Sequence, residues 1–172
     1  MIQHGSLNLN AIEAMQFLWT SISSKDKLTE KFIIDIANTE PFQWIYNDEF
    51  TSESVRRSLS ALSNREPFTG NKAENRFYSR NLMILEYMDT LHDKINAFKG
   101  VRLKDIIEHL NRTWNIKDMD HLEVVVVPTP FDTFQCHENK IILNFFKFHL
   151  VDGILKADDM PIEEILKTAL TS

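Results

Sequence analysis

The chain contains one cysteine, Cys136, and only four glycines among its 172 residues. A single cysteine excludes an intrachain disulfide, which is compatible with a reducing compartment such as the cytoplasm. With so few glycines, the chain is not expected to form glycine-rich loops that bind phosphate groups. The Gly-x-Gly-x-x-Gly, P-loop, Gly-x-Ser-x-Gly and His-Glu-x-x-His patterns are all absent. These absences exclude the families that those patterns define, and they leave other enzyme classes open.

The sequence also lacks a long apolar run and a recognisable targeting segment. No stretch approaches the ~20 apolar residues that a membrane helix needs, and the N-terminus has neither the basic nor the apolar region of a signal peptide. We therefore expect a soluble, cytoplasmic protein that makes no membrane contact. Hydrophobic residues make up 43% of the chain and include 12 phenylalanines, which is enough for the core of a single domain over residues 1–172.

The spacing of hydrophobic residues changes near residue 121. Residues 9–117 show helical spacing, and the longest apolar stripe predicts a central helix from Lys72 to Phe98. Residues 121–149 contain two runs rich in Val, Ile and Phe, which favour strands. A last helix is expected over residues 159–171. The predicted fold class is α+β, a mostly helical body with a long central helix and a small antiparallel β-sheet near the C-terminus.

The strand region supplies most of the candidate interaction residues. If residues 140–148 form one strand, Phe145 faces opposite to Phe146 and Phe148, so both faces are apolar. Such a strand is either covered on both sides or forms an interface. Phe131 and Phe134 lie in the connection 128–139, which is long for a hairpin loop. That connection is either functional or simply stiffened by its two prolines.

A basic row is predicted at the start of the central helix. Lys72, Arg76 and Arg80 lie four residues apart, so they share one face. The row could meet phosphate or an acidic partner, or it could be an ordinary solvated helix face. Nucleic-acid binding is not expected, because the formal net charge is −6 and the row lacks the exposed aromatic residues that single-strand binders use.

Cys136 and His137 suggest a thiol–imidazole pair. Adjacent residues of a strand point to opposite faces, so the two side chains cannot meet if this segment is extended. No sequence context of a known cysteine enzyme surrounds them. A small packed or loop thiol is therefore the expected role of Cys136.

Two groups of acidic and histidine residues have the spacing of neighbours on a helix. They are Asp89, His92 and Asp93, and then Asp105 with His109. If the two helices faced each other, these groups could form a metal cluster like that of di-iron bundles. Neither helix carries the Glu-x-x-His pair of those bundles, and surface ion pairing explains both groups. We predict no metal and no cofactor.

The order of elements in the last third of the chain resembles the upstream half of zincin-like metallopeptidases. The residues concerned are Val124–Pro128, Asn139–Asn144 and Pro161–Leu166. In that family a strand ending in proline leads to an edge strand, and a helix with His-Glu-x-x-His then supplies two zinc ligands and the general base. The corresponding segment here, 163–172, has no histidine, so no zinc ligands can be transferred.

The sequence predicts a domain that acts through contacts with a protein or peptide partner. A binding module is the simpler interpretation, and an enzyme is the less simple one. The alternative is a zincin-like relative that is degenerate or truncated before its zinc site. A homo-oligomer is compatible with both readings. The candidate interaction surface comprises Lys72, Arg76, Arg80, Phe131, Phe134, Phe145, Phe146 and Phe148.

Overall fold

The computed structural model describes residues 1–171, which form eight helices and seven strands in an α+β fold. The helices are α1 (Asn10–Ser23), α2 (Glu30–Ala37), α3 (Glu40–Gln43), α4 (Ser52–Asn64), α5 (Lys72–Glu86), α6 (Met88–Lys99), α7 (Leu103–Thr113) and α8 (Ile162–Thr171). The strands are β1 (Ile2–Asn8), β2 (Met119–Val127), β3 (Phe134–His137), β4 (Lys140–Asn144), β5 (His149–Val151), β6 (Ile154–Ala157) and β7 (Met160–Pro161).

The main sheet is mixed, with strand order β1-β2-β4-β3. Val124 pairs with Ile141 in a parallel register, so the prediction that the two apolar runs form an antiparallel pair is wrong. The reason is that the connection between them contains its own strand. β3 returns antiparallel to β4 through a two-residue turn at Glu138 and Asn139, and it occupies the outer side of β4. β4 is therefore an interior strand.

The first strand, β1, was not predicted from the sequence. It pairs in parallel with β2, with Leu7 opposite Val124. Most of its side chains are polar or exposed because it lies at the edge of the sheet. Its addition brings residues 2–8 into the sheet that residues 119–144 form.

The predicted central helix is instead two helices that meet at Tyr87. The backbone of Tyr87 leaves the helical region, with φ −126° and ψ 44°. The Thr90 hydroxyl donates to the Tyr87 carbonyl oxygen at 3.0 Å, which satisfies one acceptor at the break. The predicted apolar stripe is kept across the break, since Phe77 on α5 and Leu91 on α6 are both buried.

Capping residues begin several helices close to where the sequence places them. Thr51 and Asn71 each form a capping box at the start of α4 and α5. Asn10 and Glu13 have the spacing of a capping box, but the box does not form, because α1 begins at Asn10 itself and Leu9 is the N-cap. The Asn8 side chain accepts from the Asn10 amide instead, at 3.0 Å.

A second, smaller sheet of β5, β6 and β7 follows the main sheet. Its turns use residues with positive φ, Asp152 and Gly153 in the first and Asp158 and Asp159 in the second. The predicted helix over 159–171 therefore begins only at Ile162, because the two aspartates form a turn and not a helix cap.

Two of the predicted surface residues belong to the core. Residues Phe145–Lys147 form a 3-10 turn and not the end of a strand. Phe145 stacks on Trp19 with ring centroids 5.7 Å apart, and Phe148 packs edge-on against Phe98 at 5.4 Å. Both rings are fully buried. This corrects the prediction that Phe145 and Phe148 contribute to an interaction surface.

Candidate functional sites

The basic row on α5 fastens the loop between β2 and β3. Arg76 Nη1 donates to the Pro130 carbonyl oxygen at 2.9 Å. Arg80 Nη1 donates to the carbonyl oxygens of Thr129 at 2.8 Å and Phe131 at 3.1 Å. Burial, together with the nearby Arg76, lowers the pKa of Arg80. Two of the three predicted row residues therefore hold backbone in place, and Lys72 is exposed.

Asn144 holds the same loop from the opposite side. Its buried Oδ1 accepts from the backbone amides of Thr129 and Phe146, both at 3.1 Å. Its Nδ2 donates to the Phe131 carbonyl oxygen at 2.9 Å. One side chain thus links the end of β4, the loop and the 3-10 turn, which fixes where β3 begins.

The outer edge of β3 presents backbone groups that no other strand uses. The Asn144 amide donates to the Thr133 carbonyl oxygen at 2.9 Å, so Thr133 and every second residue after it face β4. Phe134 and Cys136 consequently direct their N–H and C=O groups away from the sheet. Within residues 1–171 these four groups have no hydrogen-bond partner, and Cys136 is exposed.

A groove runs beside this edge, between β3 and the segment 44–47. Its volume is about 340 Å³, and it is lined by Trp44, Ile45, Tyr46, Asn47, Phe131, Asp132, Phe134, Gln135 and His137. The Trp44 and His137 rings lie 5.9 Å apart. The Lys140 ammonium sits 4.9 Å from the centre of the Trp44 ring. We call the β3 edge and this cavity the edge groove.

The edge groove contains only part of the predicted surface. Of the predicted interaction surface, Phe131 and Phe134 line the edge groove, and both are half-buried. Trp44, Tyr46 and His137 were missed. The available signal was the aromatic run at 42–46, and only the fold reveals that it lies beside β3.

Cys136 and His137 point to opposite faces of β3, as expected for neighbours in a strand. The Cys136 thiol contacts the Ala169 carbonyl oxygen of α8 at 3.9 Å, whereas the His137 ring lies against Trp44. Burial raises the pKa of the Cys136 thiol. A catalytic thiol needs the opposite shift, so the pair does not form an activated nucleophile.

The two groups of acidic and histidine residues make separate local contacts. His92 hydrogen-bonds to Asn96 Nδ2 at 2.9 Å, Asp105 pairs with Arg102 at 2.9 Å, and His109 pairs with Glu163 of α8. In the described part of the chain, no three His, Cys, Asp or Glu side chains are close enough to hold a metal ion.

A second cavity of about 460 Å³ opens where α5 gives way to α6. It is lined by Arg80, Met83, Ile84, Tyr87, Thr90, Leu91, Lys94, Phe146 and His149. Arg80 and Phe146 were in the predicted surface, and Lys94 was not. The Lys94 ammonium lies 4.0 Å from the centre of the Phe145 ring. We call this cavity the α5–α6 cavity.

Comparison with known proteins gives no family assignment. No protein-family model, curated protein or solved structure matches the chain at a significant level. No helix among residues 1–171 is long and apolar enough to cross a membrane.

Proposed function

We propose that this protein binds an extended peptide segment of a partner protein by strand addition at the edge groove. The observation that carries the proposal is the open edge of β3, where the N–H and C=O groups of Phe134 and Cys136 are unpaired within the described residues. Unpaired edge groups are a template for another strand, and side chains of that strand then select pockets beside it.

The groove indicates which peptide fits. Trp44, Tyr46, Phe131 and Phe134 offer an aromatic surface for one apolar side chain of the peptide. Asp132 is exposed at the same groove, where its charge also acts on Arg80. A peptide with an aromatic or aliphatic residue next to a basic residue therefore complements both features.

The edge groove is also firmly supported. Asn144, Arg76 and Arg80 hold the loop before β3 through five hydrogen bonds to the backbone of residues 129–131. A rigid edge loses little conformational entropy when a peptide docks, which favours binding. The lone cysteine is compatible with the cytoplasm as the place of action. A second copy of the chain is the competing occupant of the edge.

Amide exchange tests the open edge directly in the free protein. We expect the amides of Phe134 and Cys136 to exchange much faster than those of Gln135 and His137, which face β4. Hexapeptides selected from a phage-displayed library should then slow the exchange of Phe134 and Cys136 specifically. Uniformly slow exchange along β3 in the free protein would refute the proposal.

Backbone methylation separates strand addition from side-chain binding. A selected peptide that is N-methylated at the residue facing Cys136 should bind about tenfold more weakly or worse, because one backbone donor is lost. Methylation at the neighbouring residue, whose amide faces away, is the matched control. Equal binding of both methylated peptides would show that the peptide does not extend the sheet.

The second candidate function is that of a zincin-like peptidase relative, and one observation favours it. β2 ends at Val127 and Pro128 follows, as in the family that the sequence resembles. The segment Asn139–Asn144, which the resemblance assigns to an edge strand, instead contains the interior strand β4. The residues present do not fit a zinc site, because α8 contains no histidine and no metal-binding group lies among residues 1–171. Ser172, the last residue of the segment compared, lies outside the described residues. Cleavage of a selected peptide, followed by mass spectrometry, would favour this candidate.

A further inference from the structure

The α5–α6 cavity contains a cation without a counter-charge. Lys94 reaches inward from α6, so that its ammonium lies over the ring of the buried Phe145. Its Nζ atom forms no hydrogen bond or ion pair with any described residue. A desolvated ammonium is costly unless it is paired. Desolvated titratable groups of this kind cluster at functional sites.

Two further basic side chains lie around Lys94. Arg80 reaches the cavity from α5 and His149 from β5, and both line it with Lys94. The positive charge of Lys147, in the 3-10 turn, contributes to lowering the pKa of His149. Asp93 lines a smaller neighbouring cavity and is the one carboxylate among the described residues of the two cavity walls. The described residues that line the α5–α6 cavity itself include no carboxylate, and the charge of Asp132 acts on Arg80 from outside it.

The remaining walls are apolar and the entrance is open. Ile84, Leu91 and Phe146 supply aliphatic and aromatic surface. Met83 and Tyr87 stand at the rim with exposed fractions of 54% and 56%. The volume of about 460 Å³ lies in the range of roughly 300–1,000 Å³ that small-molecule sites occupy. Tyr87, where α5 ends and α6 begins, lines this opening.

We propose that the α5–α6 cavity binds a small organic carboxylate with an apolar body, whose carboxylate pairs with Lys94 beside Arg80 and His149. The apolar body lies against Ile84, Leu91 and Phe146. The ligand supplies the counter-charge that the chain lacks, and a charge-assisted pair in a dehydrated site is stronger than one in water. This site is separate from the edge groove, so the two proposals stand or fall independently.

The protonation of Lys94 adds a diagnostic feature. Burial lowers its pKa to about 7, so near neutral pH much of the free protein has an uncharged amine. The pKa of His149 is lowered by its own burial and by the positive charges of Lys94 and Lys147. An anion favours the charged form, so binding must raise the pKa of Lys94 and take up a proton near pH 7. Affinity is therefore expected to fall as the pH rises from 6 to 8.

Phenylacetate is a suitable probe, and phenylacetamide is its neutral counterpart. Calorimetry at pH 6.5 should detect phenylacetate binding that is at least about tenfold tighter than that of phenylacetamide. Inorganic phosphate, which has no apolar body, should bind more weakly than phenylacetate. Equal affinity for acid and amide would overturn the role of the charge, and tighter binding of phosphate would overturn the assignment to an organic carboxylate.

Two variants locate the probe. Lys94→Met keeps an unbranched apolar side chain and removes the charge, and we expect it to abolish phenylacetate binding. Lys99→Met removes an exposed lysine from the end of the same helix and should bind like the wild type. Circular dichroism establishes that both variants are folded. Binding that survives Lys94→Met, or that Lys99→Met reduces equally, would overturn the proposal.

The pairing of Lys94 with the ligand can also be measured in the wild-type protein, without any variant. The NMR signal of Lys94 Nζ, titrated with and without phenylacetate, should report a pKa that rises when the ligand is bound. An unchanged titration at saturating phenylacetate, or the absence of any binding, would show that the cavity does not pair an anion with this lysine.

Discussion

The side-chain amide of Asn111 forms two hydrogen bonds with the backbone of Ile2. Asn111 Oδ1 accepts from the Ile2 amide at 2.9 Å, and Asn111 Nδ2 donates to the Ile2 carbonyl oxygen at 2.8 Å. The pair imitates a neighbouring strand and covers one end of the outer edge of β1. β3 has no such cover on its own outer edge in the described chain. The two edges of the sheet therefore differ at the end of β1 that Asn111 covers.

Replacing Asn111 should weaken the β1 edge. We expect Asn111→Ala to lower the free energy of unfolding by about 1–2 kcal/mol, because two partly buried backbone groups lose their partner. Urea denaturation measures the change. Asn115→Ala, which removes an exposed amide in the following loop, should leave the free energy almost unchanged. Equal losses in both variants would contradict the role assigned to Asn111.

Leu91 should carry a large part of the packing between α6 and the core. Its exposed fraction is 4%, whereas that of Leu82 on α5 is 39%. Leu91→Ala is expected to cost about 2–5 kcal/mol, the range for a buried large aliphatic side chain. Leu82→Ala, the matched control, should cost well under half of that. The midpoints of chemical denaturation measure both losses of stability. An unchanged midpoint for Leu91→Ala would show that the stripe is not packed as described.

The helices and the fold class follow from local signals in the sequence. Thr51 is a favourable N-cap residue and caps α4, and Phe77 and Leu91 mark a buried stripe at helical spacing. Local signals did not reveal the break at Tyr87, because the apolar spacing continues through it. β1 was missed for a related reason. It is a short polar edge strand whose pairing depends on residues more than a hundred positions away.

The sites depend on contacts that no local pattern encodes. Arg80 and Asn144 are far apart in sequence, yet both bind the backbone of Phe131. Trp44 meets His137 only because α3 packs beside the sheet. The sequence could indicate Phe131 and Phe134 as candidates from the length of their loop. It could not indicate Lys94, since a lysine on an amphipathic helix is normally at the surface.

Metal analysis tests the zincin-like alternative and the two histidine groups together. We expect purified protein to carry no stoichiometric zinc or iron, because no group of three suitable side chains occurs among residues 1–171. Inductively coupled plasma analysis measures this. About one metal ion per chain would contradict the expectation. His92→Ala and His109→Ala would then show which helix provides a ligand.

Lys94→Met should stabilise the folded protein while it removes the proposed ligand site. The pKa of Lys94 is lowered from an ordinary value of 10.5 to about 7, and each pKa unit corresponds to about 1.4 kcal/mol. Burying the charged Lys94 therefore costs the folded protein at most about 5 kcal/mol, and we expect a few kcal/mol because the side chain is partly open to solvent.

The cost of burying Lys94 depends on pH. Below pH 7 the charged lysine must be buried, so the full cost applies. Between about pH 7 and 10.5 the unfolded chain holds more protons than the folded one, and wild-type stability rises with pH. Lys94→Met should lack this rise, so its advantage in urea denaturation should be larger at pH 6.5 than at pH 9. Lys99→Met controls for the loss of one positive charge from α6, and a constant difference between wild type and Lys94→Met at both pH values would show that Lys94 titrates normally.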